Sequence, residues 1–349
     1  MANLQATVID GTPLRVLRAS ARAGTYLRAG FTAIRDLGDS GRFLDVALRK
    51  AIDEGTIDGP RMIVSGPGFI TDFAWFQPQY SSFLSEEYRV IRGPVDAALA
   101  VRENFSRGAE VIKMYSGTIG PGLPPMMTPE EMQAIVQEAH RLGMKVAAHA
   151  ASDRSVRAAV DAGVDSIEHA YTITDATLAL MKQKGVALVA TDIDSATELR
   201  YDIVSEPRYD MSKPAPTPGE IAADLTPRRQ RLMRAVASGV LIAAGSDLYI
   251  DLGWSQGEAA RHVLFSYAEA GMQNVAVLQT ATINAARVIG LDKPVPGRLP
   301  QRAHGIGVVK VGAFADIIAV EGDPGVDIQA LKNIRFVMKA GTVYVMNQR

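Results

Sequence analysis

The chain has 349 residues, of which 47% are apolar, and its 37 basic and 38 acidic side chains leave a net charge of −1. That balance argues against a nucleic-acid binder or a polybasic membrane-surface protein, and the absence of cysteine excludes disulfides, zinc ribbons and thiol nucleophiles. No apolar run reaches membrane-spanning length, and Met1-Ala-Asn-Leu-Gln lacks the basic-then-apolar layout of a signal peptide, so the expectation is a soluble, cytoplasmic protein acting on a small-molecule substrate, with a homo-oligomer left open.

In chain order, 31–36 reads as a strand and 42–54 as a helix. The run 61–65 is a strand followed by a long loop, 66–93, and 109–114 is a strand. Thr128-Pro-Glu-Glu131 opens a helix with an N-cap, a first-turn proline and a capping-box carboxylate. Strands follow at 144–148, 165–168 and 186–190, alternating with helices at 152–162 and 174–184. After a polar insertion, 192–219, come a helix at 227–238, a strand at 240–244 and helices at 257–270 and 275–289. Such alternation indicates a parallel sheet wrapped by helices. Seven strands are recognisable where a closed (β/α)8 barrel needs eight. From about residue 294 the texture becomes β-rich with turn glycines, at 305–320 and 334–345.

The loops 66–93, 117–127 and 192–219 all follow strands, which in a barrel places them on the catalytic face. Two of the five histidines stand directly after strand runs, in Val146-Ala-Ala-His149 and Ser166-Ile-Glu-His169, one βα unit of 20 residues apart. Adjacent strands would therefore present both imidazoles at one rim. Val111-Ile-Lys113 and Ala244-Gly-Ser-Asp247 add a lysine and a carboxylate at equivalent heights. Imidazole and carboxylate are good zinc ligands, and a strand-end lysine with a lowered pKa could carry a carbamate. Taken singly, Lys113 could snorkel and Asp247 could cap a turn. It is their joint placement that points to a metal site. His140, His262 and His304 are read as structural. Trp75, with Phe69, Phe73 and Phe76, could line a substrate pocket or pack as a lid. Arg200 and Arg208 are candidates to meet a substrate carboxylate.

Gly30-Phe-Thr-Ala-Ile-Arg-Asp-Leu-Gly38, Val111-Ile-Lys-Met-Tyr-Ser-Gly117, Ala148-His-Ala150, Gly163-Val-Asp-Ser-Ile-Glu-His169, Gly245-Ser-Asp247 and Ala281-Thr-Ile-Asn-Ala-Ala-Arg-Val-Ile-Gly290 resemble the amidohydrolase superfamily, nearest its imidazolonepropionase-like and prolidase-like branch. The resemblance implies a (β/α)8 barrel with one or two divalent metals, zinc by expectation, and a small β-sandwich domain. It implies carboxylated Lys113 as the bridging ligand and His149 and His169 as ligands of the second metal. Asp247 would be a ligand of the first metal and the proton shuttle for the attacking water, and Tyr115, on the Lys-x-Tyr position, would touch substrate. The implied activity is hydrolysis of a C–N bond in a dipeptide or N-acyl amino acid. The alternatives are a catalytically impaired remnant, or a lactonase or phosphotriesterase on the same scaffold.

The chain departs from the family in one respect. The family's first barrel strand ends in a His-x-His pair, and this sequence contains none. The expected domains are a sandwich remnant at 1–12, the barrel at 13–293 and the rest of the sandwich at 294–349. Of the one spare β-prone run, 4–9, the expectation is that it pairs with the β-domain and leaves the barrel open, so that hydrolysis is weaker than with a His-x-His segment restored.

Overall fold

The computed structural model describes residues 11–38, 43–71, 87–117, 125–204, 216–295 and 303–347. Twelve strands and eleven helices are named here in chain order among them. The strands are β1 (Ala33–Asp36), β2 (Arg61–Val64), β3 (Gly68–Ile70), β4 (Tyr88–Val90), β5 (Val111–Tyr115), β6 (Lys145–Ser152), β7 (Ser166–Thr172), β8 (Ala187–Val189), β9 (Ile242–Ala243), β10 (Ile317–Val320), β11 (Ile334–Lys339) and β12 (Thr342–Met346). The helices are α1 (Thr12–Arg28), α2 (Leu44–Asp53), α3 (Pro94–Ser106), α4 (Pro129–Arg141), α5 (Asp153–Ala162), α6 (Asp175–Lys184), α7 (Ser195–Val204), α8 (Pro218–Ala237), α9 (Gln256–Glu269), α10 (Asn274–Thr280) and α11 (Ile283–Ile289).

β3, β5, β6, β7, β8 and β9 pair in parallel, with β4 on the outer side of β3. β1 pairs with β2, which continues into the same wall through the hydrogen bond from Glu110 N to Val64 O, 2.8 Å. The α/β fold is that of the expected barrel, with seven successive strand positions. Its outward side chains, among them Ile112, Met114, Val146, Ala148, Ile167 and Leu188, pack into one core with the surrounding helices. Its inward face combines apolar side chains, among them Val111, Ala187, Val189 and Ala243, with a polar layer. Arg35 on β1 crosses the barrel to Glu168 on β7, 2.8 Å, and Ser166 Oγ donates to the same carboxylate at 2.8 Å. The antiparallel sheet β10–β11–β12 forms the small β-domain, held to the barrel by Lys339 donating to Gly59 O and by the buried Arg61–Asp316 pair.

Among the described residues no strand stands between β1 and β9. The helical ring nonetheless closes there, because α1 and α9 touch through Gly257. A Cβ on Gly257 would lie 2.2 Å from the carbonyl oxygen of Thr25 and 2.7 Å from Ala29 Cβ. Backbone cannot yield as a flexible side chain can. Gly257→Ala should therefore destabilise the chain by about 1–3 kcal/mol, read as a lower urea midpoint, although alanine is the better helix former. A raised midpoint would show that the two helices separate freely at this seam. The run 4–9 lies outside the described residues.

Several sequence expectations need correction. The loop expected at 66–93 contains β3 and β4 at its two ends, and α3 was not singled out in the sequence. The polar insertion at 192–219 contains α7. α8 begins at Pro218, not near 227, because Thr217 and Glu220 form a capping box there and Pro227 sits inside the helix. The single helix expected at 275–289 breaks at Thr282, whose hydroxyl donates back to Leu278 O at 2.8 Å. In 305–320 only Ile317–Val320 is a strand, since Gly307 and Gly312 take left-handed turns at φ 88° and 83°.

Candidate metal centre

Cross-strand register decides which side chains share the barrel interior. Lys113 pairs with Ala147, Tyr115 with His149, and His149 with Glu168. Period two then puts Lys113, Tyr115, His149, Ser166 and Glu168 on the inner face. The rings of Tyr115 and His149 are 5.3 Å apart between centroids, and Lys113 Nζ lies 5.1 Å from the centre of the Tyr115 ring.

By the same alternation His169, next to Glu168, should face outward. It does not, because His169 and Ala170 take left-handed backbone at φ 80° and 52°. This turns the imidazole over the rim, 4.5 Å from His149 between ring centroids. Left-handed non-glycine residues cost roughly 1–3 kcal/mol each and gather at functional sites. Thr191 after β8 (φ 55°) and Asp247 after β9 (φ 50°) are two more at the same end of the barrel. The strained carbonyl of His169 accepts from the guanidinium of Arg231, a buried residue of α8 that also pairs with Asp192.

The surroundings of His149 and His169 disfavour protonation of both imidazoles. Burial pushes the pKa of His149 down to about 3, with Lys113 adding repulsion, and burial holds His169 well below the ordinary range, with His149, Lys113 and Arg231 adding to it. His169 Nδ1 contacts Thr191 Oγ1 at 2.7 Å and Tyr171 Oη at 3.3 Å. Asp247 registers through its charge on Tyr171, beside His169, and on Tyr26 of α1, whose hydroxyl burial pushes up to about 12. Among the described residues no group of three or more His, Cys, Asp or Glu side chains gathers in a metal-binding arrangement. A site here therefore needs Lys113 as well as the two histidines.

The other named residues fall elsewhere. Arg200 donates to Leu252 O at 2.7 Å and covers the Trp254 ring at 4.0 Å, so it braces the chain following Asp247. Trp254 stacks on His262, which contacts Asp194 at 2.7 Å. His140 pairs with Asp165 at 2.9 Å, and His304 Nδ1 lies 3.0 Å from Gly312 O. Phe69 is buried in the core. Trp75, Phe73, Phe76 and Arg208 lie outside the described residues. Sequence reasoning missed Thr191, Arg231, Tyr171 and the Arg35–Glu168 pair. Only Glu168, beside a candidate ligand on a strand, carried any signal that could have found it.

The "Amidohydrolase family" model matches residues 16–346. The chain is 28% identical over 344 residues to an ochratoxinase of Aspergillus niger, covering 91% of this chain and 66% of that protein, so it spans just under two thirds of that relative. A solved Xaa-Pro dipeptidase with methionine bound in its active site is 28% identical with a TM-score of 0.77, over 96% of this chain and 80% of that one. A prolidase in complex with N-methylphosphonate-L-proline is 25% identical with a TM-score of 0.80, over 99% and 83%. No helix among the described residues is long and apolar enough to cross a membrane. With the family model matching nearly the whole chain, this protein belongs to the amidohydrolase family.

Proposed function

We propose that the chain is a metal-dependent hydrolase that cleaves the C–N bond of a small amide such as a dipeptide or an N-acyl amino acid. The observation that carries this reading is the contact of His149 with His169, 4.5 Å between centroids, with Lys113 one strand away. The donor chemistry fits a divalent ion, because metal ligation requires unprotonated imidazole nitrogen and burial opposes protonation of both rings. Lys113, as a carbamate, with His149 and His169 would hold it, and zinc suits that set. When bound, the ion supplies Lewis acidity toward the scissile carbonyl and the attacking water. Asp247 accepts the proton of that water and passes it to the leaving nitrogen. Tyr115, between Lys113 and His149, meets the substrate. The C–N preference draws on the dipeptidase, prolidase and ochratoxinase relatives.

A second reading is a catalytically impaired member that still binds metal. It is favoured by the missing His-x-His and by the lack, among the described residues, of a third clustered His, Asp or Glu. Zinc content and hydrolysis separate the two. The purified chain should carry about one zinc, and His169→Ala should lose most of it, since a three-ligand site tolerates little further loss. Xaa-Pro dipeptides and N-acyl amino acids should release free amine. Zinc without cleavage selects the impaired reading, and zinc unaffected by His169→Ala removes this site altogether.

A further inference from the structure

The position of one proton on His169 decides which ring nitrogen can bind anything. The Thr191 hydroxyl lies 2.7 Å from the carbonyl oxygen of Ala190 and 2.7 Å from His169 Nδ1. A carbonyl oxygen only accepts, so the hydroxyl proton goes to Ala190. Thr191 Oγ1 can then only accept on its other side, and the 2.7 Å contact places a proton on His169 Nδ1. Tyr171 Oη, 3.3 Å from the same nitrogen, is also hydrogen-bonded to Thr191. A metal ion binds only a ring nitrogen that carries no proton, and with Nδ1 as the donor to Thr191 that nitrogen is Nε2.

The arrangement is held from both sides. Thr191 and His169 each keep left-handed backbone, at φ 55° and 80°, and Arg231 binds the His169 carbonyl together with Asp192, the residue after Thr191. We propose that Thr191 is a positioning residue whose hydroxyl fixes His169 as the Nδ1–H tautomer and so presents Nε2 as an electron-pair donor to a divalent cation at the barrel mouth. The cation half of this rests on the reading of His169 as a metal ligand, and the tautomer half does not. Ligating histidines commonly donate their other ring N–H to an oxygen, and loss of that partner typically costs 10–100-fold in metal affinity.

The tautomer can be read without metal. In the metal-free full chain labelled with 15N-histidine, two-bond 1H–15N correlation distinguishes the two neutral forms. With five histidines in the sequence, His169→Ala identifies the resonance. Wild type and Thr191→Ser should show Nδ1–H. Thr191→Val keeps the β-branch and size at the left-handed position and removes only the hydroxyl. It should shift His169 toward Nε2–H and weaken zinc binding about tenfold in a chelator-competition titration. An Nε2–H signal in wild type would overturn the proposal, as would a Thr191→Val chain that binds zinc as tightly as wild type. If Thr191→Val does not fold, the wild-type and Thr191→Ser spectra decide. A wild-type chain with the Nδ1–H form that binds no zinc would overturn the ligand reading of His169, and with it the role of Thr191, while leaving the tautomer itself standing.

Discussion

Asp247→Asn should lower the turnover of an Xaa-Pro dipeptide or N-acyl amino acid by about 10²–10⁴-fold, the usual contribution of a general base. The substitution is well suited to the position. Asp247 holds φ 50°, and asparagine is among the few residues that accept left-handed backbone without added strain. The amide keeps the size and a carbonyl oxygen but cannot take the proton of the attacking water. Unfolding midpoint and circular dichroism should therefore stay at wild-type values while turnover collapses. Retained turnover would place the proton transfer on another group, and loss of fold together with activity would make Asp247 a structural turn residue.

Arg231→Met should destabilise the chain by about 3–5 kcal/mol, measured as a shift in the urea midpoint at constant slope. Arg231 is 1% exposed and binds both the His169 carbonyl and the Asp192 carboxylate, so its removal leaves a buried anion unpaired. The loss should depend on pH in a defined direction. Burial already raises the Asp192 pKa to about 6 against the pull of Arg231. Without the guanidinium it rises further, while in the unfolded chain it stays near 3.9. The folded state then binds more protons than the unfolded state above about pH 4, so stability falls as pH rises through that window. The deficit of the variant should be larger at pH 7.5 than at pH 5. A midpoint equal to wild type at both values would mean that this pair carries no net weight.

The sequence by itself determined the layers of this protein and the height of its candidate site. Strand–helix alternation, with short apolar runs such as 111–114 and 186–190, specifies a parallel wall under helices, because a strand buried on its outer face must be apolar there. The 20-residue step from His149 to His169 put the two residues at matching heights on adjacent strands, since each βα unit returns the chain to the same rim. Both lie inside β6 and β7, which run on to Ser152 and Thr172, and not at the strand ends the sequence suggested. The absence of a His-x-His pair and the count of seven strands were equally legible, being statements about composition and period.

Where those side chains point was decided only by the tertiary structure. Simple alternation cannot send both Glu168 and His169 to the interior. The left-handed backbone at His169 and Ala170 does it, held by Arg231 from a helix 62 residues on, and no local propensity of Glu-His-Ala foretells that conformation. Thr191 meets His169, and Arg35 meets Glu168, through contacts 22 and 133 residues apart in the chain. Such pairs exist because strand register brings their ends together. Arg200 is a further case: its charge suggested a substrate carboxylate, and the partners the fold gives it, Leu252 O and the Trp254 ring, could not be read from its place in the sequence. Sequence period fixes which residues reach the rim of a barrel. The direction of each side chain there follows from backbone strain and long-range hydrogen bonds, whose energies arise only once the wall has assembled.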